Sequence, residues 1–555
     1  MQSLNSSHQQ SWLVWFYKGI LLLGIFILVG RLIEVQIIKG KYYQTLAENN
    51  RLRHIPITAP RGKILDRNGQ ILVDNLKEKF IMDFSPAQGF LKKPIDNESD
   101  IAEADLTTSW KRKYSFAETF AHVSGFLGEV NPDEVNKVDP HCPQKGVNTL
   151  GTLVGRLGLE KQYDCQLKGI DGEELVEVDT FGNKIRTFGR RNPIPGSDLT
   201  TTIDLGLQKI LATHLAGHSA AAIITTVDSE ILALHSSPSY DPGLFTSSHD
   251  SSTNKEITNI FSDPTLPMFN RVISGTFHPG SIFKLVTATA ALEEHAIKDD
   301  FRYEDTGSIK INEFTYNNWY FTQYGQVEGL IDLPKALSRS TDTFFYKVGE
   351  HAGIDNLVAW AKKFGLSQPT GIDLPGEVGG LIPSPDWKRA TKGENWYLGN
   401  TYHFAIGQGD ISITPIETHL IASVIATNGK LCTPFLNKEQ KVSCQNLNIS
   451  PKTINLIKQG MVRACSPGGT AYPFFDFVAK TDKPPIGQAA CKTGTAETFE
   501  EDITHAWFTV FAPADNPEII ATFLIEKGGE GSKVAAPIAR DILDYWFLHK
   551  NYQNN

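Results

Sequence analysis

Positive charge is in short supply in this 555-residue chain: 53 Lys and Arg stand against 62 Asp and Glu, a formal net charge of -9. A nucleic-acid binder carries a basic footprint, so that class is excluded. The two signs alternate without a long charged tail, and the chain has no internal repeats or low-complexity tracts. Cysteine is scarce too. The six, at 142, 165, 432, 444, 465 and 491, form no CxxC and no zinc-ligand spacing. They permit several disulfide pairings outside the cytoplasm, and free buried thiols fit the sequence equally well.

What is present is enough apolar residue, 41%, for a sizeable core, and a length that predicts about two to four domains. One long hydrophobic run stands out. WLVWFYKGILLLGIFILVG, residues 12–30, is broken only by Lys18 and is long enough to cross a bilayer as a helix. No small-x-small cleavage site follows it, so it reads as one uncleaved span, assigned to 12–38 with 1–11 as a cytoplasmic N-terminus. Lys18 precedes most of the run while Arg31, Lys39 and Lys41 follow it, so charge does not orient the span. A short N-terminus inside and the bulk of the chain outside is the simplest topology.

Beyond the span, residues 40–54 read as a polar helix, and APRGKILDRNGQILVDN (59–75) as two strands around an Asp66-Arg67-Asn68-Gly69 turn. GLEKQYDCQLKG (158–169) reads as a helix, GEELVEVDTFGNKIRTFGR (172–190) as a hairpin turning at Gly182-Asn183, and 192–204 as a linker ending in a strand. LGLQKILATHLAG then begins a helix. From residue 220 two apolar strands joined by Asp228-Ser229 appear, and near the C-terminus come AACKTGTAE, HAWFTVFAP and EIIATFLIE, before a final helix KVAAPIARDILDYWF. Strands from both ends of a segment, with helices between, predict an antiparallel sheet flanked by helices, an α+β layout.

Three short motifs carry candidate chemistry. In GTFHPGSIFKLVTATAALE (275–293), Ser281 after Pro279-Gly280 is a favoured helix N-cap. Lys284 does not fit that plain account, because a cation in the first helical turn faces the positive end of the macrodipole, among apolar neighbours. Positions i and i+3 share a face, so the amine is within reach of the hydroxyl; desolvation and the dipole both favour a neutral Lys284 able to act as base toward Ser281. SxxK alone is weak, since Ser252 to Lys255 repeats it in a polar stretch read as loop. The second motif is Ser340-Thr341-Asp342, where Ser340 or Asp342 also reads as a helix cap. The third is CKTGTAET (491–498), in which a strand places Lys492 and Gly494 on one face and Thr493 on the other; Gly494 is expected to let a substrate backbone approach.

Together, SxxK, then S-x-D 59 residues on, then KTG 152 residues further, is the motif set of penicillin-recognising serine enzymes. On these residues the chain resembles the class B penicillin-binding proteins, and among them the elongation-type penicillin-binding protein 2. GRLIEVQIIKGKYYQTLAENNR (30–51), APRGKILDRNG, GLEKQYDCQLKGIDG, IGQGDISITPIETHLIASVIATNGKL (406–431) and HAWFTVFAP extend the likeness over essentially the whole chain, most weakly at 85–150.

The resemblance implies a membrane-anchored D,D-transpeptidase with an elongated pedestal (dimerisation-type) domain over 39–204 and a serine β-lactamase-like transpeptidase domain over 205–555. Ser281 would attack a D-Ala-D-Ala stem peptide and hand the acyl group to a neighbouring amine, and β-lactams would acylate it instead. Lys284 would take the serine proton, Ser340 would relay protons and Asp342 would hold the network. Lys492, Thr493 and Gly494 would form the edge that binds the donor's carboxylate, with the N–H groups of Ser281 and Thr495 as oxyanion hole. No cofactor is implied, and no metal: residues 303–335 contain Asp305 and Asp332 but no His or Cys, and His214 and His218 lack a third ligand. No glycosyltransferase segment precedes the pedestal, so strand polymerisation is expected from a SEDS-type glycosyltransferase within an elongation complex at the cytoplasmic (inner) membrane, with the catalytic domain outside the cytoplasm. A D,D-carboxypeptidase, a β-lactamase, a β-lactam-sensing receptor and an inactive scaffold of the same fold stay open alternatives.

Overall fold

Within the strand Thr504–Ala512, Trp507 and Phe511 point to one side, Phe508 and Val510 to the other, and all four are buried. A strand apolar on both faces needs a layer on each side, and the computed structural model supplies both. It describes residues 11–85, 89–94, 106–179, 184–246, 251–479, 487–498, 500 and 503–549.

The chain begins with α1 (Ser11–Ile33), which runs through a π-helical turn (Glu34–Ile38). The helical stretch Trp12–Ile38 contains an 18-residue segment of mean hydropathy 2.2, none of it buried, so it is long and apolar enough to cross a membrane. A polar helix follows, α2 (Gly40–Arg51), shorter than the expected 40–54 because Leu52 begins β1 (Leu52–Ile57).

The chain divides into two compact units. The first comprises residues 1–60, 77–110 and 169–195. In it β1 pairs antiparallel with β2 (Gly172–Val178), which pairs with β3 (Lys184–Arg191). The hairpin expected here is present, although its turn at Gly182-Asn183 lies outside the described residues.

The second unit comprises residues 61–76, 111–168 and 196–555. Its turn at 66–69 forms as expected, with Asp66 Oδ1 accepting from the N–H groups of Asn68 and Gln70 at 2.8 and 2.7 Å. The predicted helix at 158–169 is interrupted at Tyr163 (φ -111°), whose hydroxyl donates to Asp373 Oδ2 at 2.7 Å. The linker 192–204 ends in a strand of only two residues, Leu199–Thr200.

One of the chain's five-stranded sheets, antiparallel throughout, contains β4 (Ala220–Thr225), β5 (Ile231–Ser237), β6 (Ala490–Glu497), β7 (Thr504–Ala512) and β8 (Ile519–Ile525), in the order β5-β4-β8-β7-β6. Strands far apart in sequence are therefore neighbours, and β6 is an edge strand. One face packs against α3 (Leu205–Leu215) and the C-terminal α10 (Ala535–His549). The other covers α4 (Lys284–Glu293) and α8 (Pro415–Ala426). Between them along the chain run α5 (Leu333–Arg339), α6 (Asp342–Ala352) and α7 (Leu398–Ala405), with α9 (Pro451–Ala464) after α8. Inside this layer His419 of α8 hydrogen-bonds the hydroxyls of Thr225 and Thr522 at 2.9 and 3.1 Å, and burial pushes its pKa down to about 3. The second S-x-x-K, Ser252 to Lys255, is not loop but lies in the helix Ser251–Ser262.

All six cysteines are paired: 142 with 165, 432 with 444 and 465 with 491. His214, read as helix surface, hydrogen-bonds the Ile210 carbonyl and lies 3.3 Å from Asp541.

Candidate active site

Ser281 is not a helix cap. It lies inside a 3₁₀ turn, Gly280–Phe283, that leads directly into α4. The turn depends on Gly280, which has φ +53° and whose missing Cβ would stand 2.8 Å from the Thr495 carbonyl. The Gly280 N–H donates to the Gly407 carbonyl at 3.0 Å. The serine turn is thus pressed onto β6.

Lys284, the first residue of α4, is fully buried. Its Nζ donates to Asp342 Oδ1 at 2.6 Å, to the Ser340 carbonyl at 2.8 Å and to Ser340 Oγ at 3.2 Å. Burial lowers its pKa, opposed in part by the Asp342 carboxylate. Ser281 Oγ takes no hydrogen-bond partner among the described residues, so the expected Ser281–Lys284 contact is not made in this state; the amine is held by the S-x-D motif.

That motif owes its shape to backbone conformation. Ser340 closes α5 in the left-handed region (φ +54°), Thr341 is the N-cap of α6, and Asp342 is the first residue of α6. Neither Ser340 nor Asp342 is the N-cap of α6. Because α5 stops and α6 restarts across one left-handed residue, Ser340 Oγ and the Asp342 carboxylate both face Lys284. Asp342 is held from the other side as well: Oδ2 accepts from the Trp319 N–H at 3.1 Å and its own N–H donates to Asn318 Oδ1 at 3.1 Å. Asn318 Nδ2 in turn donates to Asp305, whose carboxylate also receives Thr343 Oγ1 at 2.6 Å. Asp332 caps α5 through the Lys335 N–H.

On the third side Lys492 of β6 is fully buried and donates to Ser340 Oγ at 3.0 Å and to the Thr493 carbonyl at 2.8 Å. Burial and then the Lys284 charge hold its pKa well below the ordinary lysine value. One hydroxyl therefore sits between two buried amines, with a single carboxylate in direct contact. Two ammonium groups so placed repel each other, which favours loss of a proton from one of them.

Thr493 and Thr495 share a strand face. The Thr493 hydroxyl is 2.8 Å from Thr470 Oγ1, and the Thr495 carbonyl accepts from Gln408 Nε2 at 3.4 Å. In a strand the N–H and C=O of one residue point to the same edge, so the Thr495 N–H also faces away from β7, beside the serine turn. Gly494 has a different reason from the expected one. A Cβ there would meet Trp507 Cβ at 2.9 Å and Ile282 Cγ1 at 3.2 Å, so its bareness admits the serine turn rather than a substrate.

With this geometry in hand, the comparisons are specific. Residues 220–544 match the penicillin binding protein transpeptidase domain, and residues 91–201 the penicillin-binding protein dimerisation domain. The chain belongs to the penicillin-binding proteins. The peptidoglycan D,D-transpeptidase MrdA of Haemophilus influenzae is 31% identical, over 94% of this chain and 90% of that protein. MrdA of Escherichia coli K12 is 30% identical, over 97% and 94%. The crystal structure of Pseudomonas aeruginosa PBP2 in complex with WCK 5153 superposes with a TM-score of 0.70 at 30% identity, covering 89% of this chain and 96% of that one. Helicobacter pylori PBP2, solved in complex with MreC, shares the fold at TM-score 0.75 and 23% identity, over 90% and 99%.

In this penicillin-binding protein the structure brings Ser281, Lys284, Ser340, Asp342, Lys492, Thr493 and Thr495 to one place. Sequence reasoning missed Asn318, Trp319, Gln408 and Thr470. Gln408 lies in the 406–431 stretch that carries the likeness, whereas Asn318, Trp319 and Thr470 belong to none of the quoted motifs.

Proposed function

We propose that the chain is a membrane-anchored peptidoglycan D,D-transpeptidase of the elongation type, with 39–204 as pedestal and 205–555 as catalytic domain. The observation that carries this is Ser340 Oγ, shared by the amines of Lys284 and Lys492 next to a serine turn packed on an edge strand. In the proposed reaction Ser281 Oγ attacks the penultimate D-Ala carbonyl and its proton passes to a neutral Lys284. The N–H groups of Ser281 and Thr495 stabilise the oxyanion, about 3 kcal/mol per donor. The tetrahedral intermediate collapses as Lys284, through Ser340, returns a proton to the departing D-Ala amine, leaving an ester on Ser281. An amine from a second stem peptide attacks that ester and passes its proton to Lys284, which returns it to Ser281 Oγ as the ester bond breaks, leaving the new amide, a free serine and a neutral lysine. Lys492 and Thr493 receive the donor's terminal carboxylate, which brings a second negative charge to the lysine pair. Asp342 keeps Lys284 in place.

The three disulfides favour an oxidising compartment, which with the N-terminal helix supports a single-pass anchor in the cytoplasmic membrane and a catalytic domain outside. Partners proposed on the same footing are a SEDS-type glycosyltransferase and elongation-complex proteins, consistent with the H. pylori relative's complex with MreC.

Fluorescent penicillin tests the reading. Full-length protein in detergent is expected to hold the label for hours and Ser281→Ala to take none. Rapid loss of label would indicate a β-lactamase instead; labelling of Ser281→Ala, or no label on the parent, would overturn the catalytic assignment.

A further inference from the structure

The Cys465–Cys491 disulfide lies one residue from Lys492, and the chemistry above gives it no role. Cys491 is fully buried and Cys465 nearly so, packed with Ala471, Phe474 and Phe508. The bond joins the end of α9 to β6, with the two Cα atoms 5.6 Å apart. Between Cys465 and Ala471 the chain runs Ser466-Pro467-Gly468-Gly469-Thr470, with Gly468 at φ +89°. Two adjacent glycines give such a loop many conformations to lose.

The loop is nevertheless fastened at both ends to the same strand. At its start is the disulfide; at its end Thr470 Oγ1 is 2.8 Å from Thr493 Oγ1. Cys491 and Thr493 are two residues apart in β6 and so lie on one face. In between, the Arg339 side chain donates to the Gly468 carbonyl at 3.3 Å and the Thr470 N–H to the Ser338 carbonyl at 3.2 Å, which ties the loop to α5, just before Ser340.

We propose that the Cys465–Cys491 disulfide and Thr470 are positioning groups for Thr493. A threonine hydroxyl has one hydrogen to give. When Thr470 donates to Thr493 Oγ1, the hydrogen of Thr493 stays free for the carboxylate of the substrate or β-lactam; when the loop drifts, that orientation is lost. The effect belongs to binding rather than to the acyl-transfer step, because neither group contacts Ser281, Lys284 or Ser340 Oγ. The proposal rests on the transpeptidase reading, in which Thr493 faces the carboxylate.

The test compares full-length parent, Cys465→Ser/Cys491→Ser, Thr470→Val, Thr470→Ser and a control lacking the other disulfide of the catalytic region, Cys432→Ser/Cys444→Ser. Two readouts are taken: penicillin acylation resolved into pre-covalent affinity and acylation rate constant, and hydrogen exchange across 490–497. The 465/491 double variant and Thr470→Val are expected to weaken affinity about tenfold or more, the usual scale for one hydrogen bond to a charged group, with the rate constant little changed. Thr470→Ser and the 432/444 control should match the parent. Exchange across β6 should quicken in the 465/491 variant alone of the two disulfide variants. Parent-like affinity in the 465/491 variant or in Thr470→Val, or a loss confined to the rate constant, overturns the proposal. If the parent takes no label, the transpeptidase reading fails by itself, and the exchange data then decide: quickened exchange upholds the disulfide as the fastening of β6, and unchanged exchange rejects it.

Discussion

Two sheets of this protein, the three-stranded one of the first unit and the five-stranded antiparallel one of the second, are built on opposite terms. In the first unit every residue of β3 is exposed, and its solvent-facing cations pair with carboxylates of β2, Arg186 with Glu177 and Lys184 with Glu174. In the second unit β7 and β8 are covered on both faces, and β6 carries a lysine from which water is excluded. A lysine in the first setting is a solvated ion whose pairing contributes little. In the second, desolvation alters which protonation state is stable, and that turns an amine into a candidate base or carboxylate receptor. The difference lies in burial, not in residue type.

The sharpest way to break this comparison is to remove one lysine from each sheet. Lys492→Met is expected to lower penicillin acylation about 10³-fold, the scale of one lost electrostatic or acid–base contribution, whereas Lys184→Met should leave it unchanged. Stopped-flow labelling distinguishes them, and equal effects would mean that burial is not what sets Lys492 apart. The second test removes an aromatic ring from each. Phe508→Ala, from the fully covered face of β7, should cost about 3–5 kcal/mol of unfolding free energy, against within about 0.5 kcal/mol for the exposed Phe188→Ala of β3, read by chemical denaturation.

The smallest expected effect is on acid stability. Burial holds His122, His235 and His419, all in the second unit, at about 3, 4 and 3 in the folded protein. Their unfolded forms titrate near the ordinary value, so the unfolded chain takes up protons first as pH falls below about 6.5. Folding should then lose about 1.4 kcal/mol per pH unit for each histidine. His419→Gln should flatten that slope by one histidine's share, measured as denaturation midpoints between pH 7 and pH 5. An unchanged slope would show that His419 already titrates in the folded state.

Much of the fold was legible in the chain. The apolar run at the start, the 66–69 turn, the strand pairs at 220–237 and the three C-terminal strands all appear where period and turn residues placed them. The helix at 158–169 was legible as helix but not as broken, because the partner that draws Tyr163 aside, Asp373, is 210 positions away. Ser281 and Ser340 fit helix caps by local preference, and the structure gave each another conformation, a 3₁₀ turn and a left-handed residue, to meet groups that no local window contains.

The sequence alone determined the candidate nucleophile, its lysine and the order of the three motifs, together with the period that makes each segment helix or strand, since these depend on residues within a turn or two. Tertiary structure decided the rest: which cysteines pair, that Gly494 makes room for Ile282, and that one serine hydroxyl lies between amines from residues 284 and 492. Those outcomes depend on distance and on exclusion of water, and both are properties of the packed chain.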